Sequence, residues 1–352
     1  MQIHATNIQG LGASQVVISF LDSCSRLGYI SDSKVYLPYN GYLSNYKPIN
    51  TNIIRYKRIL PNGFSRLIEC LFSRFIFSNE ETIVLGDIPL RGINNQIVLV
   101  HQSNLIYPSI NSFSSKELNF RLNRFLFSIN NKYARKIIVQ TAAMAEELVA
   151  SYPSIKKKVF IVPQPVPNWL EKNQNTENAI VENKIILFYP AAYYPHKKHE
   201  FLNSLNNYLK QNNIEFSNVE IWVTLGDNDF ESLKSIKFLK NLGNLSSDQM
   251  NFFYKKANAL LFLSSMESYG LPLIEAISIN LPILTVDFNY SRSICEDSVY
   301  YFSPYSESSF FKAFEKLKMD LVLKIRPNYS TVLKKFPKSW DIVVENFICA
   351  VK

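Results

Sequence analysis

The feature that most limits what this chain can fold into is a rhythm repeated in two halves. Short apolar runs of strand length alternate with longer segments of helical periodicity, the pattern of parallel sheets joined by crossover helices. In the first half the spacing predicts strands at Ile3–Ile8, Thr82–Leu85, Gln96–His101, Lys136–Gln140 and Val159–Val162. Helices are predicted at Ala13–Leu27, Ser65–Phe77, Glu117–Ile129 and Ala142–Ser151. The rhythm breaks at Pro163-Gln164-Pro165-Val166-Pro167 and the polar run Glu171–Asn183, which reads as a hinge and linker. It restarts with strands at Lys184–Tyr189, Val219–Leu225, Ala259–Leu263 and Pro282–Val286. Between and after them come helices at His199–Gln211, Ser247–Lys256, Leu273–Ile279, Glu307–Leu317 and Trp340–Val351. The expectation is an α/β protein with domains at 1–166 and 184–335 and a linker at 167–183. A last segment, 336–352, is expected to pack back toward the first domain.

Composition supports two such domains. The chain has 352 residues, more than one hydrophobic core usually holds, and 47% of them are hydrophobic, which excludes large-scale disorder. Cys24, Cys70, Cys295 and Cys349 form no CxxC pair, so neither a zinc site nor a disulfide framework is expected, and a reduced cytoplasmic setting is. The opening MQIHATNIQGLG lacks the basic and apolar segments of a signal peptide, and no run reaches the ~20 apolar residues that span a bilayer. A soluble or peripheral protein is therefore expected. The net charge of +9 points to an anionic partner. With no nucleic-acid recognition module in view, a phosphorylated small molecule or an anionic lipid surface is the better fit.

One stretch carries most of the chemistry: SSMESYGLPLIEAISINLPIL, residues 264–284. A buried strand ends at Ser264, and Pro272 stands where a first helical position belongs, since its missing N–H costs nothing there. The helix start near Gly270–Leu273 offers unpaired N–H groups and a positive dipole end, a seat for phosphate. Gly270 lets the backbone approach a ligand closely. Glu267, in the loop, and Glu275, read as lying in the first turn, flank that seat and are able to accept hydrogen bonds from sugar or ribose hydroxyls. Read from the residues alone, Glu275 complementing the dipole and Glu267 facing water fit equally well.

The string Ser264-x-x-Glu267-Ser-Tyr-Gly-Leu-Pro-x-x-Glu275-Ala, with Leu281-Pro282-Ile283 after it, resembles the E-x7-E signature of retaining glycosyltransferases of family four. That resemblance implies the GT-B architecture, two facing Rossmann-like domains with a deep cleft between them. It implies that Glu267 meets hydroxyls of a donor sugar and Glu275 the ribose of its nucleotide. Backbone groups of Tyr269, Gly270 and Leu271 would meet the sugar and diphosphate. Glu267-Ser268 stands where the family usually has Glu-Gly. The stretch from Phe188 to His199 resembles the family's phosphate-binding loop, with Lys197 as the diphosphate cation and Lys198 beside it. Ala191 and Ala192 occupy the region where many members carry an Arg, leaving Lys198 or Arg292 to supply charge. Gly10 and Gly12 resemble the first glycine-rich loop, and His101 the histidine set against the donor sugar. Gly226-Asp227-Asn228-Asp229 reads as a polar turn, so no metal or other cofactor is expected.

Two basic, aromatic stretches remain, Arg55–Phe77 and Phe120–Phe127. They read either as helices packed on their own sheet or as a surface docking on anionic lipid. The resemblance thus implies a retaining, metal-independent transferase using a nucleotide-diphosphate sugar. Its acceptor would be a glycan, of the kind that bacterial O-antigen and capsule enzymes extend on a polyprenyl diphosphate at the inner face of the cell membrane. Two alternatives stay open: a GT-B sugar-nucleotide epimerase or hydrolase, and a non-catalytic sugar-nucleotide-binding partner in polysaccharide assembly.

Overall fold

In a computed structural model, which describes residues 1–8, 10–47, 51–57, 62–106, 115–166 and 184–351, the apolar runs become strands of two parallel sheets. The chain divides into unit 1, residues 1–165 with 337–352, and unit 2, residues 166–336. The predicted linker 167–183 and Arg58 lie outside the described residues.

Unit 1 holds strands β1 (Gln2–His4), β2 (Lys34–Pro38), β3 (Asn52–Tyr56), β4 (Thr82–Val84), β5 (Gln96–Leu99), β6 (Ala134–Val139) and β7 (Val159–Ile161). Their order is β3-β2-β1-β4-β5-β6-β7. The helices between them are α1 (Leu11–Arg26), α2 (Asn62–Leu71), α3 (Ser73–Ile76), α4 (Ser115–Asn130) and α5 (Ala142–Ser151). The predicted helix Ser65–Phe77 is two, broken between Leu71 and Ser73. One face of the sheet is covered by α1 and by the chain's closing helix, through a core that joins Phe20, Leu21 and Cys24 to Val343, Val344 and Phe347. Arg26 reaches Asp341 at 2.5 Å on the rim of that contact.

The basic stretch Arg55–Phe77 is only partly a surface. Arg66 is buried, 3.1 Å from Glu69 Oε1, and donates to the Gly86 carbonyl at 2.7 Å. Arg55 donates to the carbonyls of Leu43, at 2.5 Å, and Tyr46. The aromatic members do face outward: Phe64, Phe72 and Phe75 are exposed, Phe75 at 85%, as is Phe125 on α4. No helix among the described residues is long and apolar enough to cross a membrane.

Unit 2 holds β8 (Ile185–Tyr189), β9 (Val219–Val223), β10 (Leu239–Asn241), β11 (Ala259–Phe262), β12 (Ile283–Val286) and β13 (Tyr300–Phe302), in the order β10-β9-β8-β11-β12-β13. Its helices are α6 (Phe201–Gln211), α7 (Asp227–Phe230), α8 (Ser247–Lys256), α9 (Leu271–Ser278), α10 (Asn289–Cys295), α11 (Glu307–Val322) and α12 (Ser330–Leu333). The last helix, α13 (Trp340–Val351), belongs to unit 1. Strand β11 is buried along its whole length, as expected of ALLF flanked on both sides within a parallel sheet.

In both sheets the chain starts in the middle, builds outward to one edge, then crosses back to build the other. The reversal falls between β1 and β4 in unit 1 and between β8 and β11 in unit 2. The carboxyl ends of the strands at such a reversal are the usual seat for a ligand in an open α/β sheet.

Candidate functional site

The unit 2 reversal brings together two loops that are 70 residues apart in sequence. Strand β8 leads through Tyr189 to a short 3-10 turn, Pro195–Lys197, and β11 leads to Ser264–Gly270. Because β8 pairs directly with β11, with Leu260 opposite Phe188, their outgoing loops meet. Serine hydroxyls and one amide stitch them. Ser265 N–H donates to the His196 carbonyl at 2.7 Å, and Ser265 Oγ donates to the same oxygen at 3.1 Å. Ser264 Oγ lies 3.3 Å from it. From below, the Tyr290 hydroxyl donates to the Ser264 carbonyl at 2.5 Å and the Tyr189 hydroxyl to the Lys197 carbonyl. Burial holds both phenols well above the usual tyrosine range, so they remain donors at any physiological pH.

This clamp delivers Lys197 Nζ onto Glu267 Oε1 as a close ion pair. Both side chains are shielded, 14% and 13% exposed, so Glu267 does not simply face water. The ammonium also lies over the Phe262 ring, 5.4 Å from its centroid. The neighbouring bases are held differently. Burial first, and Lys197 second, push His196 below the usual histidine range and His199 down to about 4, leaving His199 neutral between the Tyr189 and Tyr193 rings. Lys198 sits in the left-handed region at φ 54° and reaches Glu200 at 3.2 Å, over the Tyr305 ring. Arg292 is held by Asp287 at 2.7 Å and Asp297 at 2.8 Å and stacks on Tyr301.

Helix α9 begins two residues earlier than the sequence pattern predicts, at Leu271, with Pro272 next and Gly270 as its N-cap at φ 67°. The Leu273 N–H, expected to be open, is taken by the Gly270 carbonyl at 2.9 Å. The amides of Gly270 and Leu271 meet no acceptor among the described residues and form the free positive end of the helix. A side chain at Gly270 would strain the left-handed backbone and press on Ile294 Cδ1 at 3.0 Å. Gly270→Ala is expected to cost about 1–2 kcal/mol, read by chemical denaturation, and to weaken nucleotide binding in calorimetry. Tyr269 is buried, its ring 6.4 Å from Phe336.

The earlier helix start moves Glu275 from the first turn into the second, where it is 8% exposed. Tyr254 of α8, wholly buried with its ring edge-on to Phe188, donates a 2.6 Å hydrogen bond to Glu275 Oε2. Burial nevertheless pushes the carboxyl up to about 7, the Tyr254 bond offsetting only part of that. Nothing in the sequence marks Tyr254, Tyr189 or Tyr290 as polar supports. Each occupies an apolar position in its pattern, and only its hydroxyl, invisible to periodicity, gives it this role.

The remaining expected site residues belong to unit 1. Gly10 is the N-cap of α1 with extended backbone, φ −72°, and Gly12 lies inside that helix. His101 follows β5, where its backbone N–H donates to Asp87 Oδ1 at 2.8 Å. Asp227 and Asp229 lie on the short helix α7. No group of three or more His, Cys, Asp or Glu side chains among the described residues is arranged to hold a metal ion.

Two parallel sheets of this order, each with its reversal in the middle, define the GT-B fold. WaaG, a glycosyltransferase involved in lipopolysaccharide biosynthesis, superposes with a TM-score of 0.66 over 99% of this chain and 93% of its own, at 13% identity. Residues 171–328 match the family described as glycosyl transferases group 1. Over 251 residues the chain is 22% identical to the O-antigen chain mannosyltransferase RfbU of Salmonella typhimurium, covering 69% of this chain and 66% of that protein. It is 36% identical over 75 residues to the serotype-specific mannosyltransferase WbdA of Escherichia coli, which is 21% of this chain and 9% of WbdA. The matched part is thus just under two thirds of RfbU and a small part of WbdA.

Proposed function

We propose that this chain transfers a hexose from a nucleotide-diphosphate sugar to a glycan acceptor with retention at the anomeric carbon and without a metal ion. The observation that carries the reading is the set of groups gathered at the strand reversal of unit 2. A shielded ammonium, two free helix-end amides and two carboxylates surround the carboxyl ends of β8 and β11. Lys197 and the Gly270 and Leu271 amides suit a diphosphate, Glu267 the sugar hydroxyls and Glu275 the ribose. In the reaction the bond from the anomeric carbon to the diphosphate oxygen breaks as the acceptor oxygen bonds to that carbon on the same face. The acceptor's proton passes to the departing diphosphate, whose charge Lys197 and the helix end stabilise in a partly dry site.

The acceptor in this reading is an O-antigen or capsule repeat unit carried on a polyprenyl diphosphate. RfbU and WbdA support it by relation, and the exposed Phe64, Phe72, Phe75 and Phe125 supply apolar anchors for peripheral binding at the inner face of the membrane. The test incubates the protein with GDP-mannose, UDP-glucose or UDP-galactose and a lipid-linked acceptor in EDTA. NMR of the product then reads the anomeric configuration. Transfer with retention is expected; an inverted product, or turnover only after a divalent ion is added, overturns the mechanism. Flotation with phosphatidylglycerol vesicles tests the membrane contact. Phe72→Ser/Phe75→Ser is expected to lower the bound fraction severalfold, and equal flotation by this variant and the wild type removes that part.

A further inference from the structure

Among the polar groups of unit 1 that the expected site does not use, one carboxylate stands out for its strain and for what it holds. Asp87 follows Gly86 at the end of β4, one of the two strands at the reversal, and has φ 70°, a conformation that L side chains rarely adopt. Its surroundings over-determine that shape. The Asn7 side-chain amide donates to the Gly86 carbonyl at 3.0 Å, so close that a Cβ on Gly86 would lie 1.9 Å from Asn7 Oδ1. The buried Arg66 guanidinium donates to the same carbonyl at 2.7 Å and is itself fixed by Glu69, which also accepts from Thr6. The Asp87 N–H donates to the Leu99 carbonyl at 3.1 Å, at the last residue of β5.

From this frame the Asp87 carboxylate covers the next residues of the neighbouring loop. Oδ1 accepts the N–H of His101 at 2.8 Å and that of Gln102 at 3.0 Å, while Oδ2 faces the imidazole edge, 3.7 Å from Nε2. His101 is mostly shielded, and its Nδ1 is buried with no partner among the described residues. Its backbone and its ring are therefore both addressed by one side chain on an adjacent strand end.

We propose that Asp87 is the positioning residue of His101, setting where the imidazole stands for sugar transfer. The role in transfer rests on the function proposed above; the hold on the ring does not. A cap for two strand-end amides alone needs no strained backbone and no second oxygen facing the ring. Arg66, whose charge acts on Asp87 from α2, keeps the carboxylate from being a lone buried anion.

Two variants separate position from folding. Asp87→Gly accepts φ 70° without strain and removes the carboxylate, so the strain it relieves offsets part of the loss of two amide hydrogen bonds, and a folded protein with a modestly lower melting temperature is expected. Asp87→Asn tolerates the same backbone and keeps a carbonyl acceptor. The chain has four histidines, so their ring signals resolve in 15N-histidine NMR, with His101 assigned by its loss in His101→Ala. In Asp87→Gly the His101 ring signals are expected to shift or broaden while those of His196 and His199 stay, and Asp87→Asn is expected to restore them. With donor and acceptor, Asp87→Gly should lower kcat about 10- to 100-fold at nearly unchanged donor KM, with Asp87→Asn recovering most of it. Superposable His101 signals in Asp87→Gly overturn the hold on the ring. A displaced ring with wild-type kcat overturns its role in transfer while leaving the transferase reading intact. A wild type that transfers no sugar overturns the transferase reading, and the NMR arm then decides the hold by itself.

Discussion

Lys197→Ala is expected to lower kcat/KM for sugar transfer about 100- to 1,000-fold, the scale on which a preorganised stabiliser of a leaving group acts. The same substitution should also destabilise unit 2. Lys197 and Glu267 shield each other, and removing one partner of such a pair leaves a desolvated charge, at a cost of about 3–5 kcal/mol when burial is complete. The double variant Lys197→Ala/Glu267→Ala removes both charges, so it should be more stable than Lys197→Ala alone while remaining inactive. Urea denaturation of the two single variants and the double closes the cycle. Additive stabilities would mean that the pair has no energetic coupling, and near-normal transfer by Lys197→Ala would remove Lys197 from the diphosphate.

Glu275→Gln should move stability and donor binding in opposite directions. Burial raises the Glu275 carboxyl from 4.5 to about 7, so the folded state holds this proton more tightly than the unfolded chain does. The group's contribution is therefore most favourable below pH 4.5 and is lost as pH rises toward 7. Above pH 7 the wild type carries a penalty of up to about 3 kcal/mol that glutamine does not. Glu275→Gln should therefore be the more stable protein at pH 8, with the difference shrinking to nothing near pH 4.5. Its donor affinity should fall about 10- to 100-fold at pH 8, as expected for a lost charged acceptor. Wild-type affinity should also weaken as pH drops from 8 to 6, while that of Glu275→Gln stays flat. Equal stability of the two proteins at pH 8 would show that Glu275 is not strained by burial.

A good share of this was legible in residue order. Runs such as Ala259–Leu263 and Trp340–Val351 were long or apolar enough to name strand and helix, and Ser247–Lys256 and Ala142–Ser151 match the structure residue for residue. Four strands stayed hidden: β13, the aromatic YYF, is only three residues long, and the others lack a strong pattern. KVYLP ends in a proline, which argues against a strand inside a sheet, NIIRY is an edge strand, and LKN has a single apolar residue. At the site, spacing placed Glu267, Gly270 and Glu275 around one helix start. It could not tell that the carboxylates differ in kind, one paired with an ammonium and the other with a buried phenol. Those partners lie on β8's outgoing loop and on α8, and sheet order rather than sequence distance brings them near.

The return of α13 to unit 1 also sets an order of events during synthesis. Unit 2 is continuous in sequence, so all its parts leave the ribosome before residue 337 does. Unit 1, although most of it precedes unit 2 in sequence, lacks Val343, Val344 and Phe347 from its core until residues 340–351 emerge, and Phe20 and Leu21 stay uncovered on that side. The half that is translated first is thus the half that finishes folding last. Ribosomal pausing or truncation before residue 340 would expose apolar surface on unit 1 while leaving unit 2 complete.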